Sequence, residues 1–361
     1  MQEELSRKPM GSDSIADDVV TVPTGSLDKA VATSRDPDYW FDDGNLILVP
    51  RGVAFRVYKG LLAEHSMIFR SMFHVAQAVP ASEDLVEGCP VVPLDDCPNE
   101  LRELFKLIFP LSSNLKFHGP KVDIAFISNI IRLDHKYELQ SLYGEAMHYL
   151  TSYYTSSFDA WEDGRHAALW QPDPIHAIRA IGLARLTGTP SILPTAFYIC
   201  ATLGPDIVHG CPPDGGGGGP AERLAPDDLR AVLELKARLA TENARAGFLL
   251  LRFLNIYACQ PCVEVWRRIL EQAARAEDLA PHAVASERAL DSWTANADCL
   301  PVPAAVGGNG NLHYAHMPSS PPHTLCAACR NRLQVRDREL RREIWRRLPE
   351  FLGLTIENWD A

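Results

Sequence analysis

The clearest structural pattern in the chain lies between Gly44 and Phe73. An uninterrupted hydrophobic run at 46–49 predicts a strand that is buried on both faces. After a Pro-Arg-Gly turn at 50–52, hydrophobic side chains recur at every second position over 53–57. That period of two is typical of a β-strand, so the two segments are predicted to form a hairpin.

Beyond the hairpin, the spacing of hydrophobic residues lengthens to that of helices. Residues 61–73 predict two short helices, and Ser66 stands where the second helix needs an N-cap. A third strand is predicted at 91–94. Asp95 or Asp96 is then predicted to cap a helix that has a proline in its first turn.

A resemblance to the BTB/POZ domain is carried by three segments in order and spacing: FRVYKGLLAEHSMIFRSMF, VVPLDDCPNELRELFKLIF and LDHKYELQSLYGEAMHYL. With WFDDGNLILV near the start and LPEFLGL near the end, the chain resembles the BTB-domain proteins that are abundant in mushroom-forming fungi. The resemblance covers residues 38–155. It implies an α+β fold over 36–156, in which a three-stranded sheet packs with helices.

The regions that flank this domain differ from it in composition and in hydrophobic pattern. Residues 1–35 are polar and acidic without a sustained period, which predicts a disordered tail. Residues 157–361 show helical periods, so we expect a mainly α-helical C-terminal region in which the apolar segment 248–257 is buried. The loop at 211–220 contains consecutive glycines, but neither a preceding strand nor a following Gly-Lys-Ser/Thr is present. It therefore predicts a flexible insertion rather than a phosphate-binding loop.

Composition and net charge limit the partners and the cellular location that we expect for the protein. The chain has 361 residues and a formal net charge of -11, so nucleic acid is disfavoured as its main partner. No apolar run reaches the roughly 18 to 20 residues of a bilayer span, and residues 1–18 lack the apolar core of a signal peptide. We therefore expect a cytoplasmic or nuclear protein with no membrane contact. Its nine cysteines predict reduced thiols or metal ligands.

The strongest chemical signal in the sequence is a pair of Cys-x-x-Cys motifs. The first is formed by Cys259 and Cys262, and the second by Cys326 and Cys329. Two such knuckles complete a tetrahedral zinc site, so the pattern predicts structural zinc as the cofactor. Their separation exceeds the roughly 15 to 20 residues of a zinc ribbon. Histidines of the intervening loop are alternative ligands, at His313, His316 and His323. Four unliganded thiols remain the alternative, and a redox-active pair is disfavoured because no thioredoxin-like βαβ pattern surrounds either motif.

The last predicted helix, over 325–348, is rich in arginine. Its basic residues are Arg330, Arg332, Arg336, Arg338, Arg341, Arg342, Arg346 and Arg347. Such a helix suits a nucleic-acid arm, but an apolar stripe at helical spacing runs between the arginines. We therefore favour a solvated face that packs on acidic neighbours.

No set of residues stands in recognisable catalytic roles, so we expect a protein-interaction module rather than an enzyme. The residues predicted to form the contact surface are Leu61, Leu62, Ile68, Met72 and Phe73, although each also suits the core. The resemblance implies self-association or binding to other proteins. In some BTB families the partner is a cullin-type ubiquitin ligase, and Leu101-Arg102-Glu103 resembles a triplet of cullin-binding relatives. The alternative is a zinc-stabilised transcription regulator whose basic last helix contacts DNA.

Overall fold

The computed structural model describes residues 34–76, 85–109, 124–139, 143–169, 171–213, 221–275, 286–294 and 325–361. These residues form two compact units. One unit is built from the described parts of Met1–Phe117 and Leu133–Tyr143, and the other from those of His118–Arg132 and Gly144–Ala361. The predictions for residues 1–33 and for the consecutive glycines lie outside the described residues, and so does the segment 297–322.

The first unit contains a mixed five-stranded sheet. Its strands are β1 (Ser34–Trp40), β2 (Leu46–Pro50), β3 (Val53–Val57), β4 (Leu85–Val86) and β5 (Cys89–Leu94). Their order across the sheet is β1-β3-β2-β5-β4. The β2–β3 hairpin is antiparallel as predicted, and β5 runs parallel to β2.

The prediction of a three-stranded sheet is wrong, because β1 and β4 extend the sheet at its two edges. Neither edge strand shows an alternating hydrophobic pattern. β1 is polar and contains Pro37, and β4 is two residues long. An edge strand pairs on one side only, so it tolerates proline and polar side chains that a central strand excludes. The first of these strands begins at Ser34, inside the segment that was predicted as tail.

Tight turns hold the antiparallel pairs. Arg51 and Gly52 between β2 and β3 have φ angles of 42° and 86°, and Glu87 and Gly88 between β4 and β5 have 51° and 77°. Positive φ at both central positions matches the twist of a two-residue hairpin. Glu87 and Gly88 therefore form the turn between β4 and β5.

Helices complete the core of the first unit. They are α1 (Lys59–His65), α2 (Met67–Ala76), α3 (Pro98–Ile108) and the end of α4 (Ile124–Tyr137). The fully buried side chains include Leu46, Leu48, Phe55, Leu62, Phe69, Leu101, Leu104 and Phe105.

Ser66 caps α2 as predicted, since its hydroxyl oxygen accepts a hydrogen bond from the Phe69 amide at 3.0 Å. The predicted cap of α3 is wrong. Cys97 occupies the N-cap position and makes no side-chain cap bond, although Pro98 does begin the helix. Asp96 instead accepts hydrogen bonds from Lys136 and Tyr137, because a buried carboxylate is stabilised by charged and hydroxyl donors.

The second unit is helical. Its helices are α5 (Tyr143–Tyr153), α6 (Phe158–Glu162), α7 (Ala177–Thr187), α8 (Leu193–Ala201), α9 (Pro226–Tyr257), α10 (Gln260–Arg275) and α11 (Ala327–Phe351). One core cluster joins α9, α10 and α11 around the fully buried Trp266. Arg332 donates to the Tyr257 carbonyl and Arg347 to Glu242, so α11 runs antiparallel to α9.

The prediction that residues 248–257 are buried is wrong for one face of α9. Leu250 and Leu254 are buried, whereas Phe248, Ile256 and Tyr257 are 67%, 62% and 56% exposed. A 3.6-residue period places Phe248 and Ile256 on the side of the helix away from Leu250 and Leu254, and the described neighbours cover the side of the two leucines. Tyr257 lies on the side of the leucines but is the last residue of the helix. Within the described ranges, no helix combines the length and the apolar character that a bilayer crossing requires.

Candidate metal centre

Each Cys-x-x-Cys motif is positioned by the start of a helix. Cys259 immediately precedes α10 and Cys262 lies in its first turn, while Cys326 is the N-cap of α11 and Cys329 lies in the first turn of that helix. The amide of Cys262 donates to the Cys259 carbonyl at 3.0 Å, and this bond closes the knuckle. The positive end of the helix dipole favours thiolate over thiol at both motifs.

The two knuckles meet although Cys326 follows Cys262 by 64 positions in the sequence. All four sulfur atoms lie within 4.8 Å of one another, and the Sγ atoms of Cys259 and Cys329 are 3.9 Å apart. Zinc–sulfur bonds of about 2.3 Å in a tetrahedron place the sulfur atoms about 3.8 Å apart. The cysteine side chains therefore have the spacing of a tetrathiolate zinc site, and their four thiols are free rather than joined in disulfides.

The pKa of the thiol differs between the buried and the exposed cysteines of the cluster. A backbone hydrogen bond from Cys329 is the main cause that lowers the pKa of Cys326 to about 7. Burial raises the pKa of the Cys262 thiol to about 12, and burial also raises that of Cys329. A divalent cation would remove these differences, because metal binding deprotonates every thiol that it ligates.

The core of the helical unit encloses one side of the cysteine cluster. Cys262 and Cys329 belong to the hydrophobic cluster that also contains Trp266 and Leu333. The Cys326 amide donates to the Cys262 Sγ at 3.3 Å, as an amide does when it orients a metal-bound thiolate. Cys259 and Cys326 are exposed. The candidate ligands His313, His316 and His323 lie outside the described residues.

The arginines of α11 are engaged within the helical unit. Arg338 and Arg342 pair with Asp159, Arg346 pairs with Asp360, and Arg347 pairs with Glu242. This arrangement agrees with the prediction of a basic face packed on acidic neighbours. It reduces the positive potential that a phosphate backbone would meet.

Arg341 stands apart because it is buried. It forms a bidentate pair with Glu162 and also pairs with Asp337 at 3.2 Å. Asp337 accepts further hydrogen bonds from the Ser292 hydroxyl and the Trp293 amide. The network therefore fixes the described segment 286–294 against α11.

The residues predicted to form an interaction surface are divided by the structure. Leu62 and Phe73 are buried in the core of the first unit, so the hypothesis that they form a contact surface is corrected. Leu61 and Ile68 are 44% and 39% exposed, and Met72 is half-buried. Each helix turns one face to the sheet, which is why adjacent leucines at 61 and 62 have opposite environments.

Two groups of exposed apolar residues were missed by the sequence reasoning. Met67 is 44% exposed beside Ile68, and Phe248 and Ile256 are exposed on α9. If Leu250 and Leu254 are taken as the buried pair, helical spacing places Phe248 and Ile256 on the other side of α9. The sequence could therefore have identified these two residues as exposed.

The triplet at 101–103 has structural roles of its own. Leu101 is fully buried, the Arg102 guanidinium pairs with Asp36 at 2.6 Å, and Glu103 pairs with Lys106. Only the two charged members have part of their side chains at the surface.

No protein-family model matches the chain, and no curated protein matches it significantly.

Proposed function

We propose that the chain is a non-enzymatic protein-interaction protein that associates through its first unit. The observation that carries this proposal is a group of exposed apolar side chains on the consecutive helices α1 and α2. We call Leu61, Met67 and Ile68, which are 44%, 44% and 39% exposed, the α1–α2 surface. Large exposed apolar side chains on consecutive helices are the feature of the first unit that favours a protein contact.

The order of elements supports a BTB-type association. A hairpin, two short helices, the short strand β4, the strand β5 that runs parallel to β2, and a further helix follow one another from β2 to α3. Apart from β4, this is the order that the BTB/POZ resemblance implies. In such a domain the fold is a scaffold and the surface carries the function. The simplest form of the proposal is self-association through the α1–α2 surface, because it requires no other protein.

Light scattering of the full chain tests this proposal. We expect a mass above the 40.0 kDa of one chain at high micromolar concentration. The double variant Leu61→Lys, Ile68→Lys should shift the mass to that of a monomer. Val208→Lys is the matched control, because Val208 is 66% exposed and lies in the helical unit. A wild-type monomer over the same concentration range would count against self-association.

Binding to a cullin is the narrower form of the proposal. Glu103 offers a partly exposed carboxylate on α3, while the buried Leu101 cannot contact a partner directly. A pull-down of the full chain with a recombinant cullin N-terminal region is the direct test. Retention that Glu103→Lys removes would support an adaptor role, and no retention would remove that role without affecting self-association.

The helical unit, in this proposal, is stabilised by structural zinc held by Cys259, Cys262, Cys326 and Cys329. Four thiolates close the coordination shell and leave no position for a catalytic water, so the ion would contribute folding free energy. It would tie the corner between α9 and α10 to the start of α11. Titration with Co²⁺ should give the visible absorption of tetrahedral cobalt thiolate, and Zn²⁺ should displace it. A spectrum of octahedral cobalt alone would contradict the site.

A DNA-binding regulator remains the alternative from another class. It needs a basic surface that is available to phosphates, whereas arginines of α11 pair with Asp159, Glu162, Glu242 and Asp360. Retention on duplex DNA that falls steeply with salt would favour this alternative. Absence of retention at low salt would eliminate it.

A further inference from the structure

An exposed stripe on α9 lies outside the association surface proposed above. Phe248, Arg252 and Ile256 follow at intervals of four residues, so they lie on one face over about 12 Å of helix. Phe248 is 67% and Ile256 62% exposed. We call these three residues the α9 stripe.

The sequence around the stripe is mostly apolar, since six of the seven residues at 248–254 are hydrophobic. Leu250 and Leu254 are buried in the core cluster, and Leu249, Leu251 and Phe253 pack against it. A helix segment whose apolar residues extend around most of its circumference is normally covered on more than one side. The side that carries Phe248 and Ile256 is exposed in the part of the chain that the structure describes.

Charge identifies what would cover it. Arg252 is exposed, and among the described residues none pairs with its guanidinium or hydrogen-bonds to it. An arginine between two exposed apolar side chains is a typical centre of a protein interface, and its planar donors suit a carboxylate. The complementary surface is therefore apolar with an acidic residue at its centre.

A second copy of the chain fits this surface poorly. In a two-fold contact centred on the stripe, Phe248 would meet Ile256 of the other copy and Arg252 would meet its own equivalent. Like charges that face each other in an interface oppose association. We propose that the α9 stripe binds an acidic amphipathic helix of a partner protein, with Arg252 paired to its carboxylate.

The probe is a display library of random 16-residue peptides, selected against the full-length protein loaded with zinc. Counter-selection uses the double variant Phe248→Lys, Ile256→Lys. We expect enriched peptides with apolar residues at helical spacing around an aspartate or glutamate. Arg252→Glu should weaken a synthetic copy of such a peptide by about tenfold or more, and a lysine in place of its acid should restore binding. Leu233→Lys, at an exposed position of the same helix, should change nothing.

Several outcomes would overturn the proposal. One is that no peptide is enriched on the wild type over the counter-selecting variant. The same result is expected if another segment of the chain covers the stripe. Enriched peptides whose affinity is the same for wild type and Arg252→Glu would remove the charge argument. A dimer that Phe248→Lys dissociates would assign the stripe to a second copy. Binding to phosphatidylserine vesicles that Phe248→Lys abolishes would assign it to a membrane. Circular dichroism and zinc content of each variant verify that the fold is intact.

Discussion

Replacement of Arg341 by methionine should destabilise the helical unit more than any other arginine substitution in α11. Arg341 is 5% and Asp337 1% exposed, and each belongs to the network with Glu162. Methionine keeps the unbranched apolar stem of the side chain but removes the guanidinium and its charge. It leaves two carboxylates without their common counterion.

The expected loss follows from where those carboxylates lie. Breaking a buried ion pair by removing one partner costs about 3–5 kcal/mol. The side chain of Glu162 is 22% exposed and can turn toward water, whereas that of Asp337 is 1% exposed and cannot. We therefore expect a decrease of about 3 kcal/mol in the free energy of unfolding at pH 7. Arg336→Met removes a more exposed pair with Glu339 and should cost less than about 1 kcal/mol.

The dependence of this loss on pH gives a second readout. Burial raises the pKa of Asp337, and Arg341 opposes that increase. Without Arg341 the pKa of Asp337 in the folded protein rises further above its pKa in the unfolded chain. The folded variant therefore holds a proton on Asp337 at pH values at which the unfolded chain has lost it. Its stability must then fall as pH increases through the raised pKa. The difference between wild type and Arg341→Met should be larger at pH 8 than at pH 5.

Urea unfolding followed by tryptophan fluorescence measures both effects. Trp161, Trp266, Trp293, Trp345 and Trp359 lie in the helical unit, so the signal reports mainly on it. A loss below about 1 kcal/mol, equal to that of Arg336→Met, would refute the reasoning. So would a loss that increases as pH falls.

Two further predictions concern the first unit. Leu62→Ala should cost about 2–5 kcal/mol because it opens a cavity in the core, whereas Leu61→Ala should change stability by less than about 0.5 kcal/mol. Equal losses in thermal unfolding would contradict the assignment of their faces. Ser66→Ala removes the cap of α2 and a hydrogen bond to the Tyr137 carbonyl, so it should cost about 1–2 kcal/mol and speed amide exchange in α2. The exposed Ser71→Ala is its control, and the same exchange rates in both variants would disprove the capping role.

The parts of the fold that follow a hydrophobic period could be predicted from the sequence. The β2–β3 hairpin, the Ser66 cap and the helix α11 each have a local signal that the structure confirms. The edge strands β1 and β4 could not be predicted, because β1 is polar and pairs with β3 rather than with its neighbour in sequence, and β4 is too short to show a period. The cap of α3 failed for a related reason, since Asp96 makes tertiary bonds to Lys136 and Tyr137.

The candidate site was predictable in composition but not in geometry. Cys-x-x-Cys spacing identified Cys259, Cys262, Cys326 and Cys329, and only the packing of α9, α10 and α11 could bring the two motifs together. Surface residues were harder to assign. An amphipathic helix shows which residues share a face, but apolar Phe248 and buried Leu250 look alike in a segment that is apolar throughout.

Zinc content of the purified full chain tests the account most directly. Mass spectrometry under native conditions, checked by elemental analysis, should give one zinc ion per chain. Cys262→Ser and Cys329→Ser should remove it, while Cys200→Ser, at a buried cysteine outside the cluster, should retain it. A chain that is folded and carries no zinc after preparation with added Zn²⁺ would contradict the proposed metal centre.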